Sequence, residues 1–247
     1  MKLFKADLHI HTVLSPCGSL EMSPKVIVES ALSKGIDIIG ITDHNSTLQC
    51  TEVVRLANKN GLAVLCGAEV TTKEEVHCLT FFENFEKLET FQHYLDQFLP
   101  NIPNDTEMFG HQVWVDEDEN ILGEEKRLLI SAIDQSIDEV EAKVRSLDGL
   151  FIPAHVDRGR FSLYSQLGFM PFDLKPDAVG MTYRAEVDKM IDLHPELKEL
   201  TILRSSDAHF PNAIGEHYTV FELEEGSFQE VRMALHQKNN RKVIELV

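Results

Sequence analysis

Two histidines one residue apart, His9 and His11, sit in the apolar run KADLHIHT near the start of the sequence. Alternate residues of an extended strand share a face. If Leu8 and Ile10 point one way, the two imidazoles stand side by side on the other. A dry core cannot easily satisfy such a pair, whereas a cation between them can. Similar residues recur down the chain. Asp43 and His44 end IDIIGITDH, Glu69 lies late in LAVLCGAEVTT, and His77 opens HCLTFF. His155 ends FIPAH, and Asp207 and His209 end LRSSDAH. Neutral imidazole suits zinc, iron and manganese, while carboxylates bridge ions and accept harder ones. Nitrogen and oxygen donors without paired cysteines read as a catalytic metal site rather than a structural zinc. Six of the 11 histidines stand at strand edges in this way, too many for chance placement. His93, His194 and His236 lie on helix-like or loop segments and read as ordinary histidines.

The elements that must position these residues alternate between strand and helix. Leu3–His11 reads as a strand, and a helix starts at Pro24 after Ser23 and stops at Gly35. The apolar strand of residues 36–43 suits a sheet covered on both faces. A helix over 47–60, strands over 62–72 and 76–82, and a helix over 85–98 follow. Residues 100–125 are an irregular excursion with a hairpin over 113–125. Helices are predicted over 124–133 and 137–147, the second capped by Ser136. Strands over 149–155, 177–181 and 200–209 resume the pattern. A strand over 218–223, a helix over 227–237 and a strand over 242–246 close it. Repeated strand-then-helix units predict parallel strands with right-handed crossovers, in a barrel or a doubly wound sheet. In a barrel the carboxyl ends of the strands gather at one face, where these imidazoles and carboxylates would meet. His77 opens its strand, so it joins them only if that strand runs antiparallel to its predecessor or its loop folds back.

The 247 residues, 43% hydrophobic, suit one domain over 1–247, and one barrel matches that size. No apolar run approaches a membrane span and no opening segment resembles a signal peptide, so neither a membrane nor secretion is expected. Cys17, Cys50, Cys66 and Cys78 lack paired zinc spacing and are expected as free thiols in a reducing cytoplasm. With 23 basic and 41 acidic residues the formal charge is −18. A basic nucleic-acid footprint is absent, and long nucleic acid is not expected as a partner.

DLHIHT, GITDHN, GAEVTT with the following VH, PAH and SSDAH together resemble, in order, the metal-binding motifs of the PHP (polymerase and histidinol phosphatase) superfamily. The match runs from residue 7 to residue 209. A lone HxH is weak, but five ordered motifs are specific. The resemblance implies a distorted (β/α)7 barrel, two or three divalent ions (zinc, manganese or iron) and phosphoester hydrolysis. By the same resemblance His9, His11 and Asp207 hold a first ion, and Glu69 bridges to a second held by His77 and His155. His44 and His209 hold a third. Members of the superfamily usually add an aspartate or histidine from the loop after HxH. Here the loop reads SPCGSLE, with Cys17 near that position and Glu21 as an alternative. A cysteine ligand favours zinc or iron.

Two ions about 3.5–4 Å apart can share a hydroxide that attacks phosphorus in line. Arginine binds phosphate bidentately, and Arg158, just after His155, is the first choice for that role. Leaving-group protonation would come from His209 or from water on a metal. The expected substrate is a small phosphorylated metabolite or nucleotide. Two other readings stay open: an amidohydrolase-like C–N hydrolase, which more often uses a bridging lysine, and a non-catalytic regulatory barrel. Metal identity and oligomeric state stay open as well.

Overall fold

In the computed structural model, which describes residues 1–247, the C-terminal ends of strands from distant parts of the chain meet at one rim. Strands β1 (Lys2–Ile10), β2 (Ile38–Ile41) and β3 (Ala63–Thr71) are parallel neighbours. Helices α1 (Pro24–Ser33) and α2 (Cys50–Lys59) make their crossovers. Ser23 caps α1 by accepting from the Val26 N–H, with Pro24 in the first turn. All four residues of β2 are buried, and core side chains cover both faces of this sheet. That is why its sequence is continuously apolar.

Strand β4 (His77–Phe82) turns back antiparallel to β3, with Thr71 opposite His77. The two backbones approach closely at Gly67, where a Cβ would lie 1.5 Å from the Thr80 carbonyl oxygen. The next segment carries α3 (Phe85–Phe98), a short α4 (Thr106–Phe109) and the hairpin β5 (Val113–Val115) and β6 (Ile121–Glu124). Helix α5 (Ile137–Ser146) begins with a reciprocal cap between Ser136 and Glu139 and leads into β7 (Leu150–Pro153). β7 runs antiparallel to β4 and hence along β3.

After the short α6 (Leu163–Leu167), β8 (Val179–Met181) and β9 (Ile202–Arg204) form a separate parallel pair, with α7 (Val187–Leu193) between them. β10 (Thr219–Leu223), α8 (Phe228–Leu235) and β11 (Lys242–Leu246) complete the chain, and β10 and β11 extend the sheet beyond β1. The main sheet therefore runs β11-β10-β1-β2-β3-β4-β7. It curls so that single bonds close the gap. The Val156 N–H donates to the Gly180 carbonyl (2.9 Å), and the His11 N–H to the Ala208 carbonyl (3.0 Å).

This is a mixed α/β curled half-barrel, and it departs from regular (β/α)7 repetition. β4 is antiparallel, β8–β9 is a detached pair, and β10–β11 lie outside the alternation. The helix expected over 124–133 is absent, and the segment is extended and irregular after β6. Side chains claim its backbone. Gln112 accepts from the Leu129 N–H and donates to the Glu125 and Arg127 carbonyls, while Asn45 donates to the Leu129 and Ser131 carbonyls. Those tertiary bonds replace the helical ladder. No helix is long and apolar enough to cross a membrane.

Candidate metal centre

The rim of the curled sheet brings together the ends of β1 and β3, the start of β4, and the loops after β2, β7 and β9. Glu69 is the hub. Its carboxylate oxygens lie 3.2 Å from His9 Nε2, 3.3 Å from His11 Nε2 and 3.3 Å from His44 Nδ1. They lie 3.0 Å from His77 Nδ1 and 3.2 Å from His155 Nε2. Asp207 Oδ1 stands 3.3 Å from His9 Nε2 and 3.4 Å from His11 Nε2. The antiparallel turn of β4 is what carries His77 to Glu69. One carboxylate cannot satisfy five imidazoles. His9 Nε2 and His11 Nε2 face each other at 3.1 Å, and His44 Nδ1 and His155 Nδ1 are buried without a hydrogen-bond partner. Converging nitrogen and carboxylate lone pairs with orphaned ring atoms are the donor set that a divalent cation satisfies. The donors form three groups: His9, His11, Glu69 and Asp207; His44, Glu69 and His77; and His11, Cys17, His44 and His209.

A second layer orients the first. The Ser15 hydroxyl donates to Asp43 Oδ1 (2.6 Å), so its oxygen accepts from His11 Nδ1 (3.0 Å). That contact turns His11 Nε2 toward the cluster. Asp43 also accepts from the Thr12 N–H and hydroxyl, both at 2.7 Å. Asp7 accepts from the Ser206 N–H and hydroxyl and from the Gly215 N–H, anchoring the loop that carries Asp207 and His209. His155 and Asp207 themselves lie at φ +31° and +52°, left-handed conformations that such anchoring must hold. Residue type alone does not assign Asp7 and Asp43 these roles. The signal for both is a carboxylate one or two positions before a histidine, in or just after a buried strand.

The electrostatics follow from burial and charge. Burial opposes charge on His11, but hydrogen bonds to Asp207 and Glu69 outweigh it and raise its pKa to about 10. Burial would raise Glu69, yet the His77 and His9 charges hold it well below the usual carboxylate range. Asp207 is likewise lowered, against burial, by the His9 charge and the His11 bond. Burial lowers His44, His155 and His209, the last to about 4. His209 Nδ1 is 2.8 Å from the Asp207 carbonyl, so it donates there and leaves Nε2 free as a donor atom for a metal.

Cys17 Sγ lies within 4.8 Å of the ligand atoms of His11, His44 and His209, although part of the residue is exposed. Burial of the sulfur and the Glu69 charge push its thiol up to about 12. Glu21 is exposed and stands outside all three groups, so it does not take the alternative role. His236 pairs with Asp177 and His111 with Glu124. His194 stacks on Tyr164 and His217 on Tyr183. Arg158 reaches Asp207 Oδ2 at 2.7 Å and is 48% exposed. A cavity of about 620 Å³ opens against the cluster, with His9, His155 and Asp207 on its wall. Its buried side is apolar, including Leu8, Leu79 and Ile152, and Arg158, Tyr183, Arg184 and Lys189 line its exposed side. That size suits a small organic group.

Imidazoles and carboxylates gathered at the rim of a curled α/β sheet define a metal-dependent hydrolase type of site. The chain belongs to the PHP domain family, whose profile matches residues 7–156, and a PHP-associated profile matches residues 197–240. It is 26% identical over 275 residues to the uncharacterized protein YqxK of Bacillus subtilis, covering 99% of this chain and 65% of YqxK. In fold it is similar to the lesion-specific endonuclease Q of Pyrococcus furiosus (TM-score 0.77, 23% identity, 99% of this chain and 58% of that one). An endonuclease Q in complex with a 27-mer duplex, an abasic lesion at its active site, gives a TM-score of 0.73 at 22% identity, over 98% of this chain and 58% of that one. A Bifidobacterium adolescentis protein classed provisionally as a metal-dependent phosphoesterase gives 0.64 at 19% identity, covering 94% and 96%. The chain thus spans less than two thirds of YqxK and of the endonuclease Q chains.

The expectation that excluded long nucleic acid is overturned by this comparison. Nearly all of this chain shares its fold with part of an endonuclease Q chain that is solved in complex with a DNA duplex. The physical reason is that a formal charge of −18 is a sum over the whole surface. Binding depends on the local arrangement of groups, and Arg158 and Arg184 lie exposed on loops that line the cavity.

Proposed function

We propose that the chain is a metal-dependent phosphoesterase that cleaves a phosphodiester bond in nucleic acid. The observation that carries this reading is the convergence of six imidazoles, Glu69 and Asp207 beside a cavity that Arg158 and Arg184 also line. In it, residues 1–247 act as one PHP-type domain. His9, His11 and Asp207 would hold one divalent ion, Glu69 with His77 and His155 a second, and His44, His209 and Cys17 a third. Zinc, manganese and iron all suit this donor set. When bound, such ions supply Lewis acidity and lower the pKa of water. The chain's own part is orientation and charge. Ser15 and Asp43 fix the His11 ring, and Asp7 holds the Asp207 loop. The Arg158 guanidinium exchanges its Asp207 contact for a non-bridging phosphate oxygen, neutralising charge that grows in the transition state. Glu69 stands where an amidohydrolase-like site would more often have a lysine, and its ion-pair contacts are all with histidines. The C–N reading therefore has less support.

Metal analysis followed by a substrate screen with manganese tests this reading. Single-stranded, duplex and abasic-site oligonucleotides are compared with p-nitrophenyl phosphate and nucleoside monophosphates. Turnover of an oligonucleotide should exceed that of the monoesters by about tenfold or more, since binding energy from remote parts of a substrate is spent at the reacting centre. A clear preference for monoesters would overturn it.

The third ion should be the weakest. The group of His11, Cys17, His44 and His209 holds no carboxylate, and the Cys17 thiol must lose a proton to bind. Calorimetric titration should resolve two tighter sites and a weaker third. Cys17→Ser should weaken that third site by on the order of tenfold, a scale seen for changes around metal sites, and spare the others. Three equally tight sites indifferent to Cys17→Ser would refute the role of the loop.

A further inference from the structure

Six aromatic side chains are prominently exposed: Phe85, Phe161, Phe169, Phe172, Tyr183 and Phe210. All but Phe85 lie on the segments after β7, β8 and β9, where Arg158, Arg160 and Arg184 also lie. Phe161 is the one whose ring stacks on a candidate ligand. Its ring stacks on the His77 imidazole, with centroids 5.0 Å apart and planes at 19°. Its backbone carbonyl accepts the His77 N–H at 3.0 Å. It belongs to none of the hydrophobic core clusters and is 42% exposed. Its φ is +55°, a left-handed conformation that is costly for a bulky residue. The turn is held by the Ser162 hydroxyl, which donates to the Arg158 carbonyl (2.6 Å), and by the bond from His77. A strained, half-exposed ring beside a cluster of candidate ligands is not accounted for by core packing. Strain of this kind points to a functional demand.

The chemistry of the turn fits that demand. Arg158 reaches the centre at Asp207, and three residues on, Phe161 covers His77. The cavity has His9, His155 and Asp207 on its wall, without His77 or Phe161. A phosphate at the centre therefore has two different neighbours for its two ester arms, the cavity and the Phe161 ring. A monoester has only one arm to place. Aromatic faces stack nucleobases with little regard to sequence, and a nearby arginine pairs with phosphate.

We propose that Phe161 is the stacking platform for a nucleobase attached to the phosphate held at the metal centre. This rests on the reading of the chain as a nucleic-acid phosphodiesterase, and it adds the subsite that reads the base. The test uses the manganese-loaded full chain and short single-stranded oligonucleotides with 2-aminopurine at each position in turn. A matched set carries an abasic site instead. Stacking should quench 2-aminopurine on mixing, before cleavage, at one position. Phe161→Ala should abolish that quench and raise KM by about tenfold with little change in kcat, as loss of a base–aromatic stack does. Phe161→Trp should restore both, and Phe161→Leu, which still shields His77, should not. The abasic set should raise KM for the wild type and add nothing further to Phe161→Ala.

Unchanged KM and quench in Phe161→Ala would overturn the proposal. So would loss of metal in Phe161→Ala that Phe161→Leu repairs together with activity, since Phe161 would then be a prop for His77. A wild type that hydrolyses p-nitrophenyl phosphate but neither binds nor cleaves any oligonucleotide would instead overturn the underlying nucleic-acid reading, and the subsite with it.

Discussion

Glu69→Gln is expected to lose metal and activity together, with turnover falling by about a thousandfold or more and at least one ion lost per chain. The magnitude follows from removing charge stabilisation that acts throughout the reaction. Glu69 is 1% exposed and lies within 3.0–3.3 Å of His9, His11, His44, His77 and His155. Glutamine keeps the shape, but it replaces one acceptor oxygen with an NH₂ donor that points at ring nitrogens. It also removes one of the two carboxylates in the three donor groups. Atomic emission on purified protein and turnover on the best oligonucleotide measure the two losses. Circular dichroism and a thermal scan check that the fold persists. Full activity with normal metal content in this variant would show that Glu69 is not the bridge.

Loading the metal-free protein at pH 7–8 is expected to release at least one proton per chain. His11 carries a pKa of about 10 in the metal-free protein, so its ring is charged at neutral pH, and a metal ligand must be neutral. The apparent affinity should rise by about tenfold per pH unit for each proton displaced between pH 6 and pH 8. Calorimetry in two buffers of different ionisation enthalpy counts the protons directly. Stability follows the same linkage. The folded metal-free chain holds the His11 proton more tightly than the unfolded chain, whose histidines titrate near 6.5. His11 therefore contributes stability in full below about 6.5, and that contribution is lost as pH rises toward about 10. Metal-free protein should soften over that window, while metal-loaded protein should not show this loss. A metal affinity indifferent to pH would show that His11 does not exchange a proton for an ion.

Much of the centre was readable before folding because its chemistry is written in residue types. His9 and His11 announce themselves by alternation on one strand. Asp43–His44, Glu69, His155 and Asp207–His209 announce themselves by lying late in or just after apolar runs. Those patterns are local, since strand period and strand ends depend on near neighbours. The Ser136–Glu139 cap was legible for the same reason, and α5 starts there. Residues 124–133 were not. Their helical look reflects local propensity, and bonds from Gln112 and Asn45, far away in sequence, override it.

The sequence by itself determined which atoms can bind a metal, their order, and the alternation that sends several of them to one rim. Tertiary structure decided the rest. The reversal of β4 places His77 against Glu69, and the curl of the sheet carries the β9 loop back to β1, where Ala208 pairs with Ile10. Asp7 and Asp43 became second-layer anchors only when Ser206, Gly215, Thr12 and Ser15 came within reach. Arg158 and Arg184 line one cavity only because the segments after β7 and β8 share one face. Residue type and period are properties of a chain segment. Register, closure and local field are sums over distant segments, and they take values only once those segments are packed.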